Sequence, residues 1–497
     1  MLLENPFPEP QRQAPAALVF LLGNVLRGLA RQLWVIVLIV LFNPKKRIDL
    51  GWLLFFIGLG GLGALMALLS WLNYYFYIRD EQLVLDKGVF RKTRISVPLD
   101  RIQTVNFRQT FLHQLLGVVA VEIDTAGSVS EEFYLHAITR QQADALRDYI
   151  EAFTPAAARG LVPPDQDRAA PTAAPELLFS LTPMDLLKIG LSQNHLRTAG
   201  IIMAFAYSFL DDVASALDIK LEKELEKLPG MASDERYAVL MLWGLAFFIL
   251  LSMLISLAGT LLRHYGLGVF RTNSGLKMVS GLFDKREVSA SFRKIQFMRW
   301  SDNPLKRVFG MSSVRLPQAA SVEMGRKTTF SIPGCYHPHR QLLTSVCFPK
   351  EGQRMYTMHG VHARIIWRQV WLQAILPVAV LFWLTRSWEH AWMWTLWLPA
   401  GVWLAVRYHR MWRWEISPDS LRAHWGVVHQ RHMLLELFRV QGVSLRDNWF
   451  LRRRGLAHLE IYTAAGHMRI PYLPKEKALA LMDYLLYRVE ADGREWM

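Results

Sequence analysis

Three close histidine pairs are the first residues that could do chemistry: His337 and His339 around Pro338, His359 with His362, and His429 with His432. Imidazoles this close can share a zinc ion when further donors complete a tetrahedron. None of the pairs has the i, i+4 spacing that sets two histidines on one helix face beside a glutamate base, and no Cys or carboxylate set completes a site. Cys335 and Cys347 lie in one region without CxxC or zinc spacing, which argues against a disulfide framework and fits a reducing compartment. The stretch GLGGLG at 58–63 matches GxGxxG letter for letter. A dinucleotide site needs a strand before it, a helix after it and an acidic residue about 20 positions on. Here the glycines sit inside an apolar run, which predicts close helix packing through Gly60/Ala64 and Gly63/Ala67 instead. No GxSxG, no Walker loop and no kinase signature occurs. The expectation is a protein without catalytic residues, metal or cofactor.

The remaining chemistry is cationic. WFLRRRGL at 449–456 packs Arg452, Arg453 and Arg454 beside aromatic residues, and the whole chain carries a formal net charge of +15. Nucleic acid and anionic lipid both attract such clusters. Composition favours lipid: 52% of the 497 residues are hydrophobic and only 20% charged, with 18 Trp and 26 Phe, and the apolar residues are bunched into long runs. A bilayer core needs roughly 20 mostly apolar residues as helix. Runs at 50–76 and 237–262 meet this, as do two adjacent runs at 365–385 and 388–406. Weaker runs precede the first two, at 17–42 with Arg27 and Arg31, and at 186–210 with Lys188, His195 and Arg197. They predict three two-helix transmembrane hairpins, with an amphipathic helix in the interface as the competing reading for the two weaker runs. Each hairpin is approached through basic residues: Arg27 and Arg31, Lys188 and Arg197, Arg364 and Arg368. Such side chains can snorkel to the phosphate layer, as helix-end anchors or as a lipid-headgroup site.

Between the hairpins one pattern recurs. Gly88, Gly281 and Gly426 each lie 15 residues before Gln103, Gln296 and Gln441, and each Gln lies 14 residues before Gly117, Gly310 and Gly455. Each Gln closes a basic-aliphatic-Gln phrase: RIQ, KIQ and RVQ. Within a repeat, short alternating runs separated by Asp, Gly and Pro read as strands. The recurring glycines close tight turns or permit positive φ. The amide of the Gln is suited to satisfying backbone groups where a sheet bends. Each repeat ends in a helical pattern, shortened in the second by Pro338. This order predicts an antiparallel β-sandwich or open barrel of about 75 residues capped by one helix.

Three Gly-Gln-Gly repeats, each after a two-helix hairpin, resemble the YdbT-type membrane-flanked-domain proteins of bacteria, over nearly the whole chain. The resemblance implies seven-stranded bacterial pleckstrin-homology-like (PH-like) domains, a cytoplasmic-membrane location and a smaller YdbS-type companion membrane protein. It also implies a link to envelope-stress defence against membrane-active peptides, and brings no enzymatic activity. The fold expected is therefore an α+β membrane protein in which three transmembrane hairpins alternate with three PH-like β-sandwich or barrel domains, each with a C-terminal helix. The expected divisions are a tail at 1–16, hairpins at 17–76, 186–262 and 365–407, and domains at 77–153, 263–350 and 408–492. A Pro/Ala-rich linker at 154–185 and a connector at 351–364 join them. The opening MLLENPFPEP has no charged n-region, so no cleavable signal peptide is expected. Basic residues flanking the hairpin exits put the domains and both termini in the cytoplasm, although Lys45, Lys46 and Arg47 in the first connecting loop oppose this. Two function classes follow. One is a non-catalytic scaffold binding anionic lipid, a companion or itself, and no nucleic acid. The other is a transporter or lipid-handling permease regulated by its domains.

Overall fold

The computed structural model of the chain describes residues 5–28, 50–99, 102–125, 133–153, 175–193, 195–216, 235–319, 330–349, 357–386 and 390–492. It divides into two compact units. The first comprises Met1–Thr172, Ser180–Gly268 and Met278–Val288, and the second Ala173–Phe179, Val269–Lys277 and Ser289–Met497.

In the first unit, strands β1 (Gln11–Arg12), β2 (Tyr75–Arg79), β3 (Gln82–Lys87) and β4 (Thr93–Pro98) form an antiparallel sheet in sequence order. Strands β5 (Ile102–Gln109), β6 (Val118–Thr125) and β7 (Phe133–Thr139) continue the chain, and the helix Arg140–Phe153 closes it. Asp80 and Glu81, with φ of 51° and 57°, make the two-residue turn from β2 to β3 that matches strand twist. Inward positions alternate, so Phe76, Leu83, Leu85, Phe133, Leu135 and Ile138 share one core. The closing helix adds Ala143, Leu146 and Ile150, spaced by three and four.

The second repeat contributes β8 (Glu176–Ser180), β9 (Gly268–Arg271), β10 (Gly275–Ser280), β11 (Lys285–Ser291), β12 (Phe297–Asp302), β13 (Met311–Leu316) and β14 (Phe330–Tyr336), then the helix His337–Cys347. The third repeats the plan with β15 (Thr357–Gly360), β16 (Arg413–Ile416), β17 (Ser420–Trp425), β18 (Gln430–Glu436), β19 (Gly442–Arg446), β20 (Leu456–Thr463) and β21 (Gly466–Pro474). Its closing helix, Lys475–Ala491, buries Ala478, Leu481 and Leu485 against Trp412, Leu421 and Leu459. Four strands, three strands and a helix is thus the plan of all three repeats. The first strand of each set, β1, β8 or β15, lies in sequence before the hairpin. Sequence reading started each domain after its hairpin and saw no strand there.

This early strand ties the two ends of a hairpin together. Gln11 and Arg12 pair with Phe76 and Tyr75, and Thr357 to Gly360 pair with Ile416 to Arg413. At the second hairpin, Leu181 N–H donates to Leu267 O at 2.9 Å. Between these ends run apolar helices. Among the described residues, Leu242–His264 and Ile365–Leu384 are long and apolar enough to cross a membrane, and Ala16–Gly28, Gly58–Leu72 and Arg197–Ala206 are shorter apolar helices. A Cβ on Gly63 would meet Val25 at 2.6 Å, and one on Gly401 would meet Ala374 at 2.6 Å, so both glycines are points of close helix approach. Pro377 has no N–H to offer the carbonyl four residues back, Gln373 O, which instead accepts from the Trp397 indole at 2.8 Å. The run expected to be one helix over 186–210 is two, Pro183–Leu191 and His195–Ala216. A capping box of Thr182 and Asp185 starts the first of them.

The sheets do not stop at repeat boundaries. In the first unit, Phe107–Gln109 of β5 pair antiparallel with Lys285–Glu287 of β11. In the second unit, all six residues of β12 pair with Leu435–Gln430 of β18, giving one sheet in the order β14-β13-β12-β18-β17-β16-β15. Both junctions have the same register: Lys285, four residues after Gly281, faces Gln109, eight before Gly117, and Gln430 faces Asp302 with the same offsets from Gly426 and Gly310.

All six signature glycines have positive φ: 115°, 107° and 102° at Gly88, Gly281 and Gly426, and 66°, 65° and 62° at Gly117, Gly310 and Gly455. They differ in what a side chain would meet. A Cβ on Gly281 would lie 2.1 Å from Asp284 O, whereas nothing lies within 4 Å of one on Gly310. Gly310→Ala should therefore cost only the left-handed penalty, about 1–2 kcal/mol. Gly281→Ala should lower the unfolding midpoint of the purified protein by at least twice as much. Equal shifts in thermal melts would refute that distinction.

Candidate lipid and partner surfaces

Each repeat turns from its fifth strand to its sixth through one turn of helix: Phe111–Leu115, Pro304–Val308 or Trp449–Arg452. Asn303 and Asn448 cap the last two by accepting from the N–H of Lys306 and Leu451. Four residues before the following Gly, the side chain points inward. His113 Nε2 lies 2.9 Å from His136 O, Lys306 Nζ donates to Pro333 O at 2.8 Å, and Leu451 is buried. Burial lowers the Lys306 ammonium to about 8. Three residues before the Gly, the side chain points to the next repeat. Gln114 Nε2 donates to the carbonyls of Leu282 and Phe283, both at 3.2 Å. Arg307 Nη2 donates to those of Val427 and Val428 at 3.3 and 2.9 Å. Each acceptor pair directly follows a signature Gly, so the junction consists of a glycine tip seated in a strand-and-helix socket. At the first junction the Phe283 ring packs edge-on against Phe111 at 5.8 Å. There Asp284 bonds Arg108 at 3.1 Å; burial raises its carboxyl, but Arg108 and Arg286 bring it below its ordinary value. Glu287, almost buried, meets Arg147 at 2.9 Å.

The repeated phrase is part of this construction. Arg439, buried, pairs with Glu436 at 3.2 Å and donates to Arg293 O and Phe292 O of the preceding phrase. Gln296 is fully buried; its backbone N–H donates to Pro317 O, and Nε2 reaches Lys294 O at 3.4 Å. Gln441 donates its backbone N–H to Tyr462 O while its side chain is exposed. Gln103 sits at a register shift between Ile102 and Thr104, and its side chain lies outside the described residues. The position is shared through the backbone, at the entrance to each three-stranded set.

The basic residues before the hairpins have varied surroundings. Arg27 is exposed, and Arg31 lies outside the described residues. Lys188 is half-buried in the last turn of Pro183–Leu191, and Arg197 is exposed near the start of the next helix. Arg364 sits over Trp367 at 5.9 Å, and Arg368 over Tyr472 at 5.4 Å. In the third socket, Arg452 binds Asp447 at 2.9 Å, Arg453 stacks on Trp449 at 4.0 Å, and Arg454 is exposed. Sequence reading missed a cleft of about 600 Å³ in the second unit, lined by Trp300, Arg340, Glu415, Arg422, His424 and His432. The His432 ring lies parallel to Trp300 at 5.1 Å, and Arg340 sits over that indole at 5.3 Å. Burial, then His424 and Arg340, lower the His432 imidazole to about 4, so it is neutral near pH 7. Among the described residues no three of His, Cys, Asp and Glu form a metal-binding group. Burial raises Cys335 to about 11 and Cys347 to about 12, which makes both poor nucleophiles.

A family model described as bacterial PH domain matches residues 17–154, 217–339 and 370–489, well over half of the chain. The chain belongs to the bacterial PH domain family. It is also similar to the transmembrane protein YdbT of Bacillus subtilis, with 22% identity over 444 residues, 86% of this chain and 87% of that protein. No solved structure matches it significantly. This is a membrane protein with bacterial PH modules, and the family matches each begin in or beside an apolar helix and end at or near a closing helix. All three leave out the early strands β1, β8 and β15. The only signal for those strands in the sequence is a short stretch ahead of each hairpin, too brief for a period to show.

Two outcomes are expected of these PH modules. Arg439→Ala removes a buried cation that pairs with Glu436 and donates to two carbonyls, and should cost about 3 kcal/mol of stability in denaturant unfolding. Because His432 is lowered from its ordinary 6.5, its stability contribution is full above that pH and is lost as pH falls toward 4. His432→Asn should therefore remove up to about 2–3 kcal/mol of the acid-side loss. A melting profile from pH 7 to 4.5 unchanged by the substitution would refute this.

Proposed function

We propose that this protein is a non-catalytic, multi-pass scaffold of the bacterial cytoplasmic membrane. Three two-helix transmembrane hairpins hold three PH modules and both termini at the cytoplasmic leaflet. There the modules bind anionic headgroups through the basic residues near the bilayer, and bind a smaller companion membrane protein or further copies of the chain. Defence against envelope stress and membrane-active peptides is the physiological setting that the resemblance suggests. One observation carries the reading: neighbouring repeats are joined strand to strand within each unit, while paired strands close the ends of the hairpins. Such a device holds binding modules in fixed order against a bilayer, and it needs no catalytic group.

A permease has one observation in its favour. The first helix of the second hairpin is interrupted after Leu191, and broken helices mark transport paths. The interruption is closed by hydrogen bonds, however. Thr260 Oγ1 accepts from Gln193 at 2.8 Å, and Ser252 Oγ donates to His195 O at 3.2 Å. Neither Leu242–His264 nor Ile365–Leu384 contains Asp or Glu to pair with a cation in transit.

The test combines topology with capture. Cysteines placed at Ser274, Gly466 and within residues 217–234 are labelled in intact cells and in inverted vesicles. The first two should react only from the cytoplasmic side and the third only from outside. Purification in mild detergent should co-isolate anionic lipid and a smaller membrane protein in fixed ratio. Loss of a solute flux on replacing Arg27 and Arg31 by Ala, with assembly intact, would move the assignment to the permease.

A further inference from the structure

Three repeats make two junctions, and one tip and one socket are left over. The unused tip is Gly88-Val89-Phe90, the counterpart of Gly281-Leu282-Phe283 and Gly426-Val427-Val428. The unused socket is Asp447-Asn448-Trp449-Phe450-Leu451-Arg452, whose pattern repeats Asp302-Asn303-Pro304-Leu305-Lys306-Arg307. Among the described residues the strands that would pair are also unused: β4 is the last strand of its sheet, and β19 is an edge of β19-β20-β21. Exposed edges of this kind recruit another chain unless something protects them.

We propose that the third-repeat socket takes the first-repeat tip of another molecule of the same chain, giving head-to-tail assembly. The register shared by the two existing junctions specifies the pairing. Lys92 falls opposite Asp447, Thr93 opposite Arg446, and the pairs continue to Val97 opposite Gly442, six in all as between β12 and β18. Arg452 stands where Gln114 and Arg307 stand, three residues before the Gly, and would donate to the carbonyls of Val89 and Phe90. Arg307 shows that such a side chain serves both ends, since it reaches Asp302 at 3.6 Å as well as its tip. Phe90 occupies the position of Phe283, and Trp449 that of Phe111. The ring pair packed at the first junction therefore has a largely exposed counterpart, with Phe90 87% and Trp449 59% exposed, the latter meeting Arg453 and Phe450. Phe90 is the most exposed large hydrophobic residue described.

The complementarity is between two ends of one sequence, which is why the occupant is a further copy rather than an unrelated protein. Such a contact is heterologous, so it closes into a ring if the rotation permits and otherwise runs on as a row. This deepens the scaffold reading by naming its self-association surface, yet it is tested separately from lipid or companion binding.

The experiment uses full-length chains with two different tags, co-expressed in membranes. One carries Phe90→Cys and the other Trp449→Cys, and both keep the buried Cys335 and Cys347. Mild oxidation should give a mixed-tag disulfide dimer from this pair. Neither substitution alone should give more than about one tenth as much. Phe90→Asp, at an exposed turn that leaves both internal junctions intact, should raise the concentration for half-assembly in detergent at least about tenfold. Dimers formed equally by either substitution alone would overturn the head-to-tail contact. So would a disulfide found only within a doubly substituted monomer, or Trp449→Cys captured by a smaller protein and never by this chain. A monomer that still co-purifies with lipid and a companion would reject this inference and leave the scaffold standing.

Discussion

A sheet edge leaves a row of backbone N–H and C=O groups without partners, and the soluble part of this chain is organised by that constraint. A three-stranded sheet has two such edges. In the first two repeats one of them, β5 or β12, is covered by a strand of the following repeat. The cover is specific because pairing alone is not trusted with it. Gln114 or Arg307 holds the tip by its carbonyls, and Arg439 reaches back to the preceding phrase. A one-residue slip would turn every side chain to the wrong face and break these contacts together.

The same constraint acts where the apolar helices leave the sheets. A helix hairpin inserted into a β-domain separates two strands by tens of residues, and closing so long a loop costs entropy with no contact to offset it. The early strands supply the contact. Pairing Thr357–Gly360 with β16 brings the start of the third hairpin beside its end, and the close approach of Gly401 to Ala374 continues that proximity into the helices. Tied this way, a module cannot part from its apolar helices without losing part of its own sheet.

The glycine registers, the strand periodicity and the apolar spacing of the closing helices were legible because each is a local property. A left-handed φ favours Gly, although Asp80 and Glu81 also adopt it, and Ala143, Leu146 and Ile150 show their face by spacing alone. The interruption after Leu191 was not legible, because a run of apolar residues hides a break at which Gln193 and His195 are met by Thr260 and Ser252 of a later helix. The cleft at Trp300 and His432 was equally hidden: those two residues come from strands more than a hundred positions apart.

The amino-acid sequence by itself determined that one β-rich unit is written three times and that apolar helices separate the copies. Only the tertiary structure decided which strand lies beside which. Strand pairing depends on backbone groups common to every residue, so the partner of β5 is chosen by register, tip and socket, and none of these is visible until distant segments meet.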